Sequence, residues 1–264
     1  MDLDNLSSAT KYPSILTYHG MGDRGRLTPL VQVPFPAGEP IHLTEKVDGT
    51  NGRIVILRRG PRDYIIGSRE EFLFAQGDLI WNTTYQIKPV LAPLGDWLTQ
   101  MLHSSIEYNI KYGSAVVFFM EVFGAGLPSA KEYTDGKEMG ARIFDVCTVP
   151  LEILEKPIEQ IASWRDHGGQ SFWTSRGIDD AVKWQDDSCP VKLERVPSLG
   201  QAEALPTSIE ATYEWLKQFE KSKCDLGGGQ GRAEGVVART ADRKTIAKFR
   251  FEDYERTLGV KRLK

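Results

Sequence analysis

Residues 41–47 (IHLTEKV) alternate apolar and polar positions, and residues 53–58 (RIVILR) form a β-branched, apolar run. Between them stand two turn dipeptides, Asp48-Gly49 and Asn51-Gly52. Two strand patterns separated by such dipeptides predict a β-hairpin. Residues 63–68 (DYIIGS) predict a third strand. Leu94, Trp97, Leu98, Met101, Leu102 and Ile106 fall on one helical stripe, which predicts a helix over 94–108 beginning after Pro93. Residues 114–124 (SAVVFFMEVFG) and 142–149 (RIFDVCTV) predict two strongly apolar strands. Thr207 and Glu210 form a capping-box pattern, and Ile209, Tyr213, Leu216 and Phe219 share one face of the helix that follows. The glycine-rich 225–231 breaks that helix, and residues 234–239 and 245–251 predict two short strands. Residues 1–40, punctuated by five prolines, read as an irregular arm with one short strand. Residues 150–206 carry proline breaks and short segments around Trp164, Trp173 and Trp184 that fit no clear element. Antiparallel strands with helices packed beside them define an α+β fold.

At 264 residues the chain is long enough to bury a substantial core. Its net charge of -3 excludes a generally basic coat for nucleic acid but not a local basic groove. No apolar run approaches the length of a membrane span, and the N-terminus lacks the features of a signal peptide. The three cysteines form no CxxC pair, and an odd count fits a reducing compartment, so a cytoplasmic location is expected. The four histidines make no metal-ligand pair, so no structural zinc is expected.

Candidate chemistry begins with Lys46, between Glu45 and Val47 and just before Asp48-Gly49. A solvent-facing lysine beside a tight turn looks the same, and the residues downstream decide between the two readings. Glu121 lies inside FFMEVFG, where a carboxylate is costly to bury unless it meets a cation, a metal or hydrogen-bond donors. Glu234 repeats the pattern in AEGVVAR, beside Gly235. Lys248 and Arg250 are two apart on a predicted strand and so share a face, opposite Phe249 and Phe251. Two cations on one strand face suit a polyphosphate. One lysine, two strand carboxylates and a cationic pair describe a nucleotide site with a nucleophile and metal ligands.

In this order the motifs resemble those of the covalent nucleotidyltransferases: ATP-dependent DNA ligases, RNA ligases and capping enzymes. They are Lys46-Val-Asp-Gly-Thr-Asn, Glu121-Val-Phe-Gly, Arg142-Ile-Phe-Asp-Val, Glu234-Gly-Val-Val and Lys248-Phe-Arg250. Within that superfamily the sequence is most similar to RNA ligases of the phage nick-sealing type. Glu45 directly precedes the lysine, the first motif ends Gly-Thr-Asn, and KYPSI (11–15) resembles that group's opening. Asp48, favoured by DNA ligases, and Arg250, where lysine is usual, depart from the pattern. The resemblance implies antiparallel sheets with flanking helices, in an ATP-grasp-like ligase adenylation domain. It implies a nucleotidyltransferase domain at 41–251, preceded by the arm and followed by a short basic tail at 252–264 with no OB-fold or helical appendage.

The implied chemistry is attack of the neutral Lys46 amine on the α-phosphate of ATP, leaving a Lys-AMP phosphoramide and pyrophosphate. AMP then passes to an RNA 5′-phosphate, and a 3′-hydroxyl displaces it, as in RNA repair. The resemblance assigns Glu45 to the adenine edge, Asn51 and Arg69 to phosphate or the RNA end, and Phe144 to stacking on adenine. Glu121 is assigned to the ribose hydroxyl or, with Glu234, to Mg²⁺ or Mn²⁺, and Lys248 and Arg250 to the phosphates. The expected partners are RNA or nicked-duplex ends carrying a 5′-phosphate and a 3′-hydroxyl, the protein acting as a monomer away from membranes. Two alternatives stay open: a minimal ATP-dependent DNA ligase, and a nucleotide- or RNA-binding module without full ligase activity.

Overall fold

A computed structural model of the chain describes residues 1–58, 63–75, 87–104, 113–127, 129–183, 185–189, 192–229 and 231–260. The elements begin with helix α1 (Leu3–Ala9), strands β1 (His19–Met21) and β2 (Leu27–Val31), β3 (Ile41–Lys46) and β4 (Thr50–Leu57). Next come β5 (Tyr64–Ser68), β6 (Phe72–Ala75), α2 (Ile87–Ser104), β7 (Ser114–Gly124), α3 (Ala130–Tyr133) and β8 (Met139–Pro150). After these follow α4 (Ile158–Asp166), β9 (Ser171–Phe172), α5 (Ser175–Lys183) and β10 (Ser198–Ala202). The series ends with α6 (Ile209–Leu216), β11 (Gly235–Arg239), β12 (Ile246–Arg250) and α7 (Phe251–Leu258).

The chain divides into two compact units. The first comprises Met1–Ser14, Gly49–Leu127 and Met139–Arg195. Its six-stranded antiparallel sheet runs in the order β6-β5-β4-β7-β8-β9. Strand β7 explains why residues 114–124 do not alternate. Val116, Phe118, Met120 and Val122 enter one core with α2 and α5, while Ala115, Val117 and Phe119 enter a second core with α1 and α4. With both sheet faces covered, both parities of the strand must be apolar.

The second unit comprises Ile15–Asp48, Pro128–Glu138 and Val196–Lys264. Its four-stranded antiparallel sheet runs β10-β3-β11-β12 and buries Ile41, Leu43, Val236, Ala238, Ala247 and Phe249 against α6 and α7. The β1–β2 ladder belongs to this unit.

The α+β class holds, but several local expectations change. Strands β3 and β4 are not a hairpin: they belong to different sheets. The chain leaves one unit at Asp48 and enters the other at Gly49. Gly49 marks a close approach rather than a hairpin turn, because a Cβ there would run into the carbonyl oxygen of Val122. Asn51-Gly52 lies inside β4, where a Cβ on Gly52 would meet Leu91 of α2 at 2.7 Å. Helix α2 begins at Ile87, six residues before Pro93. Burial of Ile87, Val90 and Leu91 decides this. Each contributes about 1.5–3 kcal/mol, which outweighs the roughly 3 kcal/mol cost of an interior proline.

Residues 105–108 of that expected helix lie outside the described residues. The N-cap of α6 is Ser208, not Thr207, with its side chain accepting from the Ala211 amide. The arm expected to be irregular carries α1 and two strands, and residues 252–258 of the expected tail are helical. In 150–206, Trp164 packs beside the second core of the first unit. Trp173 donates to Thr148 Oγ1 at 3.0 Å, and Trp184 lies outside the described residues.

Candidate active site

Strand register places the candidate cations of the second unit. Gly235 of β11 lies opposite both Lys46 of β3 and Arg250 of β12, and Val237 lies opposite both Thr44 and Lys248. Directly opposed residues share a face, as do residues two apart. Lys46, Lys248 and Arg250 therefore project from one side of the sheet, with side-chain-free Gly235 between two of them. A Cβ on Gly235 would run into the carbonyl oxygen of Phe249, so close packing also demands glycine there. The opposite side carries Leu43, Val236 and Phe249 into the core.

Glu234 stands immediately before β11. Its amide donates to the Lys46 carbonyl at 3.2 Å, and its carboxylate forms an ion pair with the Lys46 ammonium. Both side chains keep about a quarter of their surface exposed, at 26% and 21%. Arg250 is held in a bidentate pair by Asp253, at 2.8 and 2.7 Å. The hydrogen bonds it donates to the Asp253 carboxylate hold the Arg250 guanidinium above its ordinary pKa. Sequence reading missed Asp253. The signal was its position three residues after Arg250, on the first turn of α7.

Glu45 is not on the Lys46 face. Strand alternation turns it toward the core side, where it is 2% exposed. Its carboxylate accepts from Ser222 Oγ and from the Lys223 amide at 2.7 Å. The side chain thus ties β3 to the 222–224 loop, a contact between positions so distant that no spacing announces it.

The remaining candidates lie in the first unit. Asn51 of β4 pairs with Glu121 of β7, which pairs with Arg142 of β8, so the three form one row on one face. Glu121 is half-buried, on the same strand parity as Val117 and Phe119. Arg142 bonds Glu194 at 2.7 Å. Among the described residues Asn51 Oδ1 is buried without a hydrogen-bond partner. Phe144 occupies a β-bulge, skipped between Phe119↔Asp145 and Met120↔Ile143. Tyr12 meets its ring edge-on at a centroid distance of 4.9 Å and donates to buried Asp145 at 2.8 Å. The KYPS stretch (11–14) thereby packs on the face that carries Phe144.

Arg53, one alternation along β4 from Asn51, is fully buried. Its guanidinium donates to the Ser7 carbonyl at 3.0 Å and to Ser7 Oγ at 2.9 Å, and it stacks over Phe72. Burial pulls its pKa down to about 9, so it stays charged near neutral pH. It is a structural charge, binding α1 to the sheet.

Arg69 bonds Ser14 Oγ at 2.9 Å and lines a cleft of 580 Å³ together with Lys11, Glu70, Glu159, Arg165 and Asp166. Lys11 pairs with Glu70 and Arg165 with Asp166, so the three cations lining the cleft are matched by three acids.

Among the described residues no three His, Cys, Asp or Glu side chains gather into a metal cluster. Magnesium takes one or two carboxylates together with phosphate oxygens and water. A single carboxylate such as Glu121 or Glu234 fits that demand, whereas a structural zinc would need a full set of ligands. No helix among the described residues is long and apolar enough to cross a membrane.

Comparison with solved structures shows the class of fold. A variant of the RNA ligase of Naegleria gruberi, solved with ATP and manganese, matches with a TM-score of 0.55 at 16% identity, over 94% of this chain and 62% of that one. The same ligase solved with pyrophosphate matches with a TM-score of 0.53 at 16% identity, over 94% of this chain and 64% of that one. Another variant with ATP and manganese gives a TM-score of 0.53 at 16% identity, over 85% and 53%. The chain thus spans between about half and two-thirds of these relatives. Among curated protein sequences none matches. The family model described as RNA ligase matches residues 39–251, most of the chain, and the protein belongs to that family.

Proposed function

We propose that this protein is an ATP-dependent RNA ligase that adenylates itself on Lys46. The observation that carries the reading is the Lys46 row. A lysine, a glycine and an arginine lie side by side on one sheet face, with Lys248 beside them and Glu234 on the lysine's ammonium. A face with three cations and no bulk at its centre suits a triphosphate.

In the first step the neutral Lys46 amine attacks the α-phosphate of ATP. A P–N bond forms as the nitrogen gives up a proton to solvent, the bond to the β-phosphate oxygen breaks, and pyrophosphate leaves. Lys248 and Arg250 supply positive charge to the phosphates. For Arg250 this means sharing its guanidinium between phosphate and Asp253. Glu234 holds the Lys46 ammonium before reaction, so its carboxylate must find another cation for the amine to be freed. A magnesium ion held by Glu234 would supply that charge and would screen the phosphates.

Asn51, Arg69, Glu121 and Phe144 take the roles that the family likeness gives them: phosphate or RNA end, ribose or metal, and adenine stacking. AMP then moves from Lys46 to an RNA 5′-phosphate, and a 3′-hydroxyl displaces it to join the strands.

The test is to mix the protein with α-labelled ATP or GTP and Mg²⁺, denature it, and locate the label. Label from ATP on Lys46 supports the reading, and an unlabelled protein overturns it. Nicked duplexes with an RNA or a DNA 3′-hydroxyl strand then distinguish RNA sealing from DNA sealing.

A further inference from the structure

Lys46 is the last residue of β3, and beyond it the sheet's regular hydrogen bonding no longer dictates the backbone. What holds the next residues comes from elsewhere in the second unit. The segment around α3, which stands in sequence between β7 and β8, belongs to the unit that contains Lys46. From it Tyr133 Oη accepts the Asp48 amide at 2.7 Å, and Ser129 Oγ donates to the Asp48 carbonyl at 2.6 Å. Both backbone polar groups of one residue, two positions after the lysine, are gripped by side-chain hydroxyls. Val47 between them is buried.

The grip has a rigid base. Tyr133 is fully buried, and burial raises its phenol pKa well above the ordinary range, so it stays protonated. Its own carbonyl accepts the Leu226 amide at 2.8 Å. The carbonyl of neighbouring Glu132 accepts the Gly231 amide at 2.8 Å, and its carboxylate accepts the Arg232 amide at 3.2 Å. Ser129 precedes α3 without capping it by a side-chain bond, so its hydroxyl serves Asp48 rather than the helix. On the other side the Lys46 carbonyl is fixed by the Glu234 amide. The backbone is thus tied both at the lysine and two residues past it.

We infer that Tyr133 and Ser129 are positioning residues for Lys46, their hydroxyls fixing the Asp48 peptide and so the direction from which the lysine amine meets the α-phosphate. This rests on the reading of Lys46 as the nucleophile. The tyrosine ring packs, and its hydroxyl aims. In-line attack tolerates little misplacement, and a shift of about 1 Å costs as much as a hundredfold in rate.

Tyr133→Phe keeps the ring and deletes one grip, and Ser129→Ala, at a site needing no cap, deletes the other. Each is expected to lower kcat for self-adenylation by about ten- to a hundredfold, with KM for ATP within about twofold of wild type. In Tyr133→Phe the Asp48 amide should exchange with solvent faster, a change read by hydrogen exchange without any turnover, while the melting temperature stays near wild type. If wild type labels and both variants label at its rate, the inference is wrong and Lys46 remains the nucleophile. If kcat falls only together with the melting temperature, or Asp48 exchange does not change in Tyr133→Phe, the role is structural and the inference is overturned. A wild type that takes no label fails the functional reading itself, and the positioning role falls with it.

Discussion

The surroundings of Lys46 and those of Asn51 satisfy their polar groups in opposite ways. Around Lys46 the charges are compensated within the protein: Glu234 holds the lysine, and Asp253 holds Arg250 in two hydrogen bonds. Around Asn51, by contrast, some buried polar atoms among the described residues stay without a partner. Among the described residues Asn51 Oδ1 has no hydrogen-bond partner, and one alternation along the strand Arg53 Nε has none. A buried unsatisfied polar atom costs about 1–3 kcal/mol, so a fold that keeps one asks what it is for. The comparison separates two strategies. A charge can be stored in an ion pair, which a ligand reaches by exchanging partners. A neutral amide can keep its oxygen unpaired, so that this acceptor remains available.

The largest expected effect is on the stored charge itself. Lys46→Arg keeps a cation opposite Glu234 but supplies no neutral nucleophile, because guanidinium stays protonated at any working pH. Labelling with AMP should fall by more than about a thousandfold, while stability changes by no more than about half a kcal/mol. The same variant, given RNA already carrying a 5′-adenylate, should still seal it. If Lys46→Arg labels as wild type does, the lysine is only an ion-paired strand-end charge and the comparison loses its first member.

Glu234→Gln tests whether the partner is more than a counter-ion. The amide still hydrogen-bonds but neither neutralises a cation nor holds a metal. Adenylation should fall by about a hundred- to a thousandfold, measured as single-turnover labelling at saturating ATP and Mg²⁺. Raising Mg²⁺ should not restore it, and a wild-type rate would remove Glu234 from the chemistry.

Arg53→Ala probes the other region, where the expected loss is stability. The substitution empties a fully buried site and removes both hydrogen bonds to Ser7. Unfolding free energy should drop by about 3 kcal/mol, read by denaturant titration. Protection of α1 amides from exchange should fall first, because Arg53 ties that helix down. An unchanged midpoint would mean that Phe72 and the sheet hold α1 without the charge.

These contrasts also explain what the sequence made legible. The strands of the candidate site were readable because their chemistry is local. Lys248 and Arg250 share a face by spacing alone, and the apolar run 114–124 announced a buried strand. The partners were not readable, because pairing is a tertiary fact. Glu45 to Lys223, Tyr133 to Asp48 and Arg53 to Ser7 join positions whose separation in sequence carries no signal. The mistaken hairpin has the same origin. Asp48-Gly49 and Asn51-Gly52 have turn composition, but their glycines answer to close neighbours, Val122 and Leu91, that only the folded chain brings near.

Asn51→Ala carries the smallest expected effect and the clearest sign. Ordinary replacement of a hydrogen-bonded buried asparagine destabilises, because it abandons a partner. Here the Oδ1 atom has none to abandon, so its removal relieves a desolvation cost. The loss of packing from one small side chain opposes that gain by a similar amount. Stability should therefore stay within about 0.5 kcal/mol of wild type or rise slightly, as measured by thermal and denaturant unfolding. Function should not be spared in the same way. AMP transfer from Lys46 to an RNA 5′-phosphate should slow more than Lys46 labelling does, because the lysine and its charge partners are untouched. Comparing label on the protein with adenylated RNA in one time course separates the two steps. A destabilised Asn51→Ala would mean that the amide is held by structure after all. Collapse of labelling alone, with transfer intact, would place Asn51 with Lys46 in the first step and erase the distinction between the stored charge and the stored amide.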